Sequence, residues 1–356
     1  MEEIFFQLPR EIINLHIHAR DLREARKTTV WQTLQEAAAA GIKIAGLMPN
    51  TKPAIISAYN FENYEELVED AERLLHRIIR AMIWLGVTDK NSRELEKLIK
   101  RDRALGLKIY PKSETGKVIT TGSCGVAQVS AIIRAMEIAA DARKPVAVHP
   151  EYPLFGHSIQ AEVEYVRLII YLARMVPGVK IIICHVSCQE SAELILAAQQ
   201  EGLQIALELC PHYLWFDESG TNWRPGLHPD FYKCYNPLRS RADREYLVGL
   251  LPQENELIFV ASDHAPHLEK EKLAGAAGIP SLYETVPVIV THAIQRGIPE
   301  NQIAKLISFN AAKFFGFEVN HNLRRVKFAL QEDRLCYNKG RIVNPWQGAK
   351  LYFPQW

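Results

Sequence analysis

Short apolar runs alternate with stretches of helical period along most of the chain. IINLHIH (12–18), KIAGLMP (43–49), RAMIWLGV (80–87) and LKIYP (107–111) are the runs of the first half. PVAVHPE (145–151), VKIIICHVS (179–187), LQIALELCPH (203–212) and ELIFVASDHAPH (256–267) continue the series. Between them, residues 31–41, 63–78, 92–106, 158–176 and 188–202 place apolar side chains three and four apart, and some of these stretches end on glycine, the pattern of amphipathic helices. Continuous apolar strands separated by helices predict a parallel sheet covered on both faces. Eight such units fit a closed (β/α)8 barrel of the TIM type. The rival is an open doubly wound sheet. No G-x-G-x-x-G follows any of the runs, which weakens its dinucleotide-binding variety.

The core of the barrel is expected over about residues 12–316, within one unit spanning 1–356. Only a short β segment precedes the first barrel strand, and residues 317–356 are read as a C-terminal strap. KSETGKVITTGSCG (112–125) is polar and glycine-bearing and reads as a loop.

The 356 residues are 48% hydrophobic, enough for a full core, and carry a formal net charge of +1. That balance gives no electrostatic reason to expect nucleic acid or an anionic membrane as partner. No apolar run is long enough to span a bilayer, and MEEIFFQLPREII lacks the basic start of a signal peptide. Six cysteines without C-x-x-C spacing suit free thiols in a reducing cytoplasm.

Chemistry gathers where the apolar runs end. His16 and His18 close the first, Lys108 lies near the end of the fourth, His149 and His185 end the fifth and sixth, and Asp263 follows the eighth. In such barrels the C-terminal strand ends form the active-site face. His16 and His18, two apart on a strand, share a face. Imidazole nitrogens and a carboxylate are good ligands for a divalent metal, and the carboxylate can also move a proton. Any one of these histidines alone is more simply a hydrogen-bonded core residue. Together they occupy equivalent places on separate strands. Lys108 is the odd member, since a cationic amine repels a metal.

H-I-H-A-R (16–20), M-P-N-T (48–51), L-K-I-Y-P (107–111), V-H-P-E (148–151), C-H-V-S (184–187) and S-D-H-A-P-H (262–267) resemble, in order, the motifs of dihydroorotases within the amidohydrolase superfamily. N-P-L-R (236–239), F-N-A-A-K-F-F-G (309–316) and N-P-W-Q-G (344–348) add to the resemblance. It implies a reversible, zinc-dependent interconversion of (S)-dihydroorotate and N-carbamoyl-L-aspartate, a step of pyrimidine synthesis. It implies two Zn2+ ions, with His16, His18 and Asp263 on one and His149 and His185 on the other. Lys108 would be carboxylated and bridge them, which removes the objection to its charge. Asp263 would shuttle the proton. Arg20, Asn50 and His267 would hold the substrate carboxylate, and the loop at Thr120 and Thr121 would cover the substrate. A homodimer and an association with aspartate transcarbamoylase are family-level partner expectations. Two alternatives stay open: a cyclic amidohydrolase for neutral rings (dihydropyrimidines, hydantoins or allantoin), and a non-catalytic relative that serves aspartate transcarbamoylase.

Overall fold

The computed structural model describes residues 3–113 and 124–356. Eight parallel strands form one sheet in sequential order: β2 (Ile12–Ile17), β3 (Ile42–Leu47), β4 (Arg80–Gly86), β5 (Ala104–Ile109), β6 (Val146–Val148), β7 (Ile181–Ile183), β8 (Ile205–Leu209) and β9 (Ile258–Val260). The circle closes between the first and last of them. Ile17 bridges His264, His18 N–H donates to the His264 carbonyl at 2.8 Å, and Ser262 N–H donates to Asn14 Oδ1 at 3.1 Å. The helices between the strands cover the outside, as the apolar spacing predicts. T-V-W-Q opens the first of them, Val30–Ala39, with a reciprocal cap: Thr29 Oγ1 accepts from Gln32 N–H, and the Gln32 amide oxygen accepts from Thr29 N–H.

The apolar side chains divide into two sets. Ile13, Leu15, Ile44, Met82, Trp84, Leu105, Ala147, Ile182, Ala206 and Phe259 fill the barrel interior. Ile12, Ile17, Ala45, Leu47, Leu107, Ile109, Val146, Val148, Ile181 and Ile183 pack outward beneath the helices. Ala311, Ala312 and Phe314 join the inner set from the helix Asn310–Phe315. Trp84 needs space on its neighbours: a Cβ on Gly106 would stand 2.7 Å from its ring and 2.3 Å from the Pro145 carbonyl oxygen.

Register irregularities matter for the site. The β2–β3 ladder slips between Asn14 and Ile17, and the β4–β5 ladder slips where Ile83 and Trp84 face Ala104 and Gly106. Strict alternation from Leu15 would put Ile17 inside and His16 outside. The extra residue reverses this, as bulges do, so Ile17 packs outward and His16 and His18 turn into the barrel mouth. The second slip places Leu107 outward and the fully buried Lys108 on the opposite, inner face.

The strand and helix pattern read from the sequence holds, with three differences. The helix predicted over 92–106 ends at Leu98, and its last residues belong to β5. Val129–Asp141, for which no helix is predicted, is a helix. The tail is more than a strap. β10 (Leu323–Glu332) pairs antiparallel with β1 (Glu3–Pro9) and with β11 (Lys350–Gln355), so the short N-terminal segment enters a three-stranded sheet.

Between β10 and β11 the tail locks onto the barrel through buried polar groups. Tyr337 donates to Glu284, and Asn344 Nδ2 donates to Glu284 Oε1 at 3.1 Å and to Asp333 Oδ2 at 3.3 Å. Trp346, fully buried, donates from Nε1 to the Pro280 carbonyl at 2.8 Å. Burial, followed by the neighbouring Asp333 carboxyl, pushes Glu284 well above the usual carboxylate range, and burial also raises Asp333. The folded chain thus keeps protons that the unfolded chain releases above the ordinary carboxylate pKa. Stability from this pair is full below that pKa and is lost as pH rises toward the raised folded value. Glu284→Gln mimics the protonated form. Its melting temperature relative to the parent is expected to improve from about pH 5 to about pH 8. Parallel profiles for the two proteins would rule out a raised Glu284 as the source of this pH dependence.

Candidate metal centre

The mouth of the barrel holds a cavity of about 40 Å3 lined by His16, His18, Arg20, Asn50, His149, His185 and Asp263, with Tyr110, Tyr235 and Gly278 on its wall. That space admits ions and water. Each strand delivers its residue at its C-terminal end, where the next polar position no longer has to fit the apolar interior. His149 directly follows β6, and its N–H donates to the Ile109 carbonyl at 3.0 Å. His185 lies two residues past β7 and Asp263 three past β9. Both have positive φ, 39° and 45°, a region in which non-glycine residues are uncommon and which clusters at functional sites.

The side chains converge in two groups. His16 Nε2 and His18 Nε2 each stand 3.1 Å from Asp263 Oδ1. His149 Nδ1 stands 3.0 Å from His185 Nε2. The far nitrogens are held from behind. His16 Nδ1 meets Glu208 Oε1 at 2.7 Å, His18 Nδ1 meets Asn50 Oδ1 at 2.7 Å, and His149 Nε2 meets Glu151 Oε2 at 3.0 Å. Glu151 is itself held by His157 Nδ1 at 2.6 Å, and the His157 ring stacks on Tyr235 at 3.8 Å. A partner on one imidazole nitrogen fixes the tautomer and turns the other lone pair to the cavity, the arrangement found around metal-ligating histidines.

Burial lowers His18 to about 4 and takes His149 and His185 below the usual imidazole range, so three of the rings are neutral near pH 7. His16 is the exception. Burial works against its charged form, but the Glu208 and Asp263 carboxylates overcome it and push the ring up to about 10. Burial likewise opposes the Asp263 charge, yet His16, His18 and His185 hold its carboxyl well below the usual range. The cavity therefore favours added positive charge next to two carboxylates, with neutral imidazole lone pairs beside it. Divalent metal ions meet that demand, and the donor set of nitrogens and a carboxylate suits zinc.

Lys108 is fully buried behind these rings, with Nζ 2.9 Å from Cys184 Sγ and 5.2 Å from the centre of the Tyr110 ring. It does not line the cavity. Glu208, fourth in β8 and on the same inward face as Ala206, is absent from the residues expected from sequence. A charged residue inside the apolar run IALEL is the signal that marks it.

Arg20 is 2% exposed and reaches the cavity wall. Its Nη2 donates to His267 Nε2 at 3.1 Å, and its Nε has no partner among the described residues. His267 is buried behind Arg20 and does not line the cavity. Burial, with Arg20 and Lys27 beside it, lowers its ring to about 3 despite its contact with Glu271. A neutral ring that accepts at Nε2 leaves the guanidinium to face the cavity. Thr120 and Thr121 lie outside the described residues.

No family model matches the chain. The chain is 29% identical over 313 residues to the dihydroorotase of Pyrococcus furiosus, covering 86% of this chain and 66% of that protein, just under two thirds of its length. It is 27% identical over 358 residues to the dihydroorotase of Clostridium botulinum, covering 96% and 82%. Among solved structures, the dihydroorotase of Saccharomyces cerevisiae in complex with 5-fluoroorotic acid superposes with a TM-score of 0.81 at 18% identity, covering 100% of this chain and 99% of that one. The L-hydantoinase of Arthrobacter aurescens does so with a TM-score of 0.81 at 20% identity, covering 98% and 83%. The chain is related to dihydroorotases over most of its length, and the structural likenesses establish the barrel fold.

Proposed function

We propose that the chain is a metal-dependent dihydroorotase that interconverts (S)-dihydroorotate and N-carbamoyl-L-aspartate. The observation that carries this reading is the Arg20 guanidinium. It is buried on the wall of the same cavity as the four histidines and Asp263, with one N–H donor, Nε, unpartnered among the described residues. A buried cation with an unsatisfied donor calls for an anion, and guanidinium grips carboxylates. Dihydroorotate carries a ring carboxylate that neutral dihydropyrimidines and hydantoins lack.

Two zinc ions are the expected metals: His16, His18 and Asp263 would hold one, His149 and His185 the other, and Lys108, once carboxylated, would be a further ligand. When bound, they would acidify a water and polarise the ring amide carbonyl. The remaining work falls to the side chains. Asp263, ionised at neutral pH, takes the proton of the attacking water and passes it to the departing ring nitrogen. Arg20 holds the ring carboxylate, and His267 sets the angle of Arg20. Asn50 keeps His18 in the tautomer whose Nε2 faces the cavity. Ring closure runs the same proton path backwards.

Ultraviolet-monitored turnover of dihydroorotate by zinc-loaded protein in bicarbonate, with dihydrouracil in parallel, tests the reading. Loss of dihydroorotate alone, abolished by a chelator, is the expected result. Turnover of dihydrouracil in its place would assign the protein to the neutral-ring hydrolases, and inactivity on both would refute hydrolysis of these rings by this chain alone.

A further inference from the structure

Glu208 touches both halves of the candidate centre. It is 2% exposed, and its Oε1 stands 2.7 Å from His16 Nδ1. The same oxygen accepts the backbone N–H of His185 at 3.0 Å and lies 3.8 Å from Cys210 Sγ. The Glu208 carbonyl accepts from Val186 N–H at 3.1 Å. One carboxylate on β8 therefore binds a histidine from β2 by its ring and a histidine after β7 by its backbone.

We infer that Glu208 is a positioning residue that assembles the metal centre, an inference that rests on the metal-dependent reading above. Two consequences follow from its contacts. First, a carboxylate at Nδ1 keeps the proton of His16 on that nitrogen, so Nε2 is the nitrogen that faces Asp263 and the cavity. Second, the bond to His185 N–H holds that residue in its left-handed conformation, φ 39°, where side chains are rarely placed. This conformation turns His185 Nε2 toward His149 Nδ1. Without the acceptor, the strand end has no reason to keep a strained turn, and the two metal halves would separate.

Glu208 also lies near Cys184. The ligand atoms of His16, Cys184 and Glu208 fall within 4.8 Å of one another. A metal there would compete with the Lys108 amine, 2.9 Å from Cys184 Sγ. The geometry favours Glu208 as the support of a ligand over Glu208 as a ligand.

The test compares E208A and E208Q with the parent chain. The readouts are zinc affinity, by competition with a chromophoric chelator, and the His16 nitrogen that carries the proton in the zinc-loaded protein, by nitrogen-15 NMR. E208A is expected to bind zinc about 10–100-fold more weakly. E208Q is expected to recover much of that loss, because an amide oxygen still accepts from both N–H groups, and to keep the His16 proton on Nδ1. Parental zinc affinity in E208A, with only thermal stability reduced, would overturn the inference. So would E208Q as weak as E208A, or a parent His16 protonated on Nε2 alone. If E208A does not fold, E208Q and the tautomer decide. Failure of the parent to turn over dihydroorotate refutes the substrate reading and leaves the order of zinc affinities as a separate result.

Discussion

Asp263→Asn is expected to lower kcat for dihydroorotate by about 10²- to 10⁴-fold, the usual contribution of a positioned proton-transfer group. The substitution is a narrow one. Asn has nearly the shape of Asp and tolerates the left-handed backbone that position 263 adopts at φ 45°. The barrel closure therefore survives, since it runs through the backbone of His264 and the side chain of Ser262. What changes is basicity. His16, His18 and His185 hold the Asp263 carboxyl well below its ordinary pKa, so it is free to accept a proton at neutral pH, and an amide cannot do so. The variant also loses the charge of a proposed metal ligand, so zinc content has to be measured alongside rate. At full zinc occupancy, a kcat within tenfold of the parent would remove Asp263 from the proton path.

Much of the fold was legible in the sequence because barrel strands, buried on both faces, are short apolar runs that no surface segment imitates. The runs at 145–151 and 179–187 correspond to β6 and β7, and the polar residues at their ends are the ones that reach the cavity. The sheet made by β1, β10 and β11 was less legible. β10 shows a mixed burial pattern, with Arg324, Arg325 and Lys327 interleaved among its apolar positions, so neither period stands out. The helix Val129–Asp141 has a clear apolar face, but Gln128 gives it no side-chain cap, so nothing marks its start after the polar stretch. Within the site, histidines after apolar strands were visible one by one. The bulges that aim His16, His18 and Lys108 inward were not, because a register slip depends on the partner strand as much as on the slipped one. Glu208 was readable in principle, as a charge on an inward position of an otherwise apolar strand. Its partner on His16, 192 residues away in sequence, was not.

Arg20→Met should separate charged from neutral rings. Met keeps the apolar stem of the buried side chain and removes the guanidinium. Truncating one member of a buried charge pair costs about 2–5 kcal/mol, or roughly 30- to 4,000-fold in kcat/KM for dihydroorotate. The loss should lie mainly in KM if the carboxylate is gripped equally in ground and transition states. Binding of neutral uracil, read as competitive inhibition, should change little, while binding of orotate should fall in step with dihydroorotate. The protein has a way to tolerate the change locally. Lys27, buried 2.7 Å from Glu24 and 3.2 Å from His267 Nδ1, still offers a cation to the acids behind Arg20. Equal loss for uracil and orotate would mean that Arg20 shapes the cavity without reading the carboxylate. The choice between a dihydroorotase and a neutral-ring hydrolase would then rest on turnover alone. A selective loss would tie the choice of substrate to one guanidinium, held by a neutral His267 on the side away from the cavity.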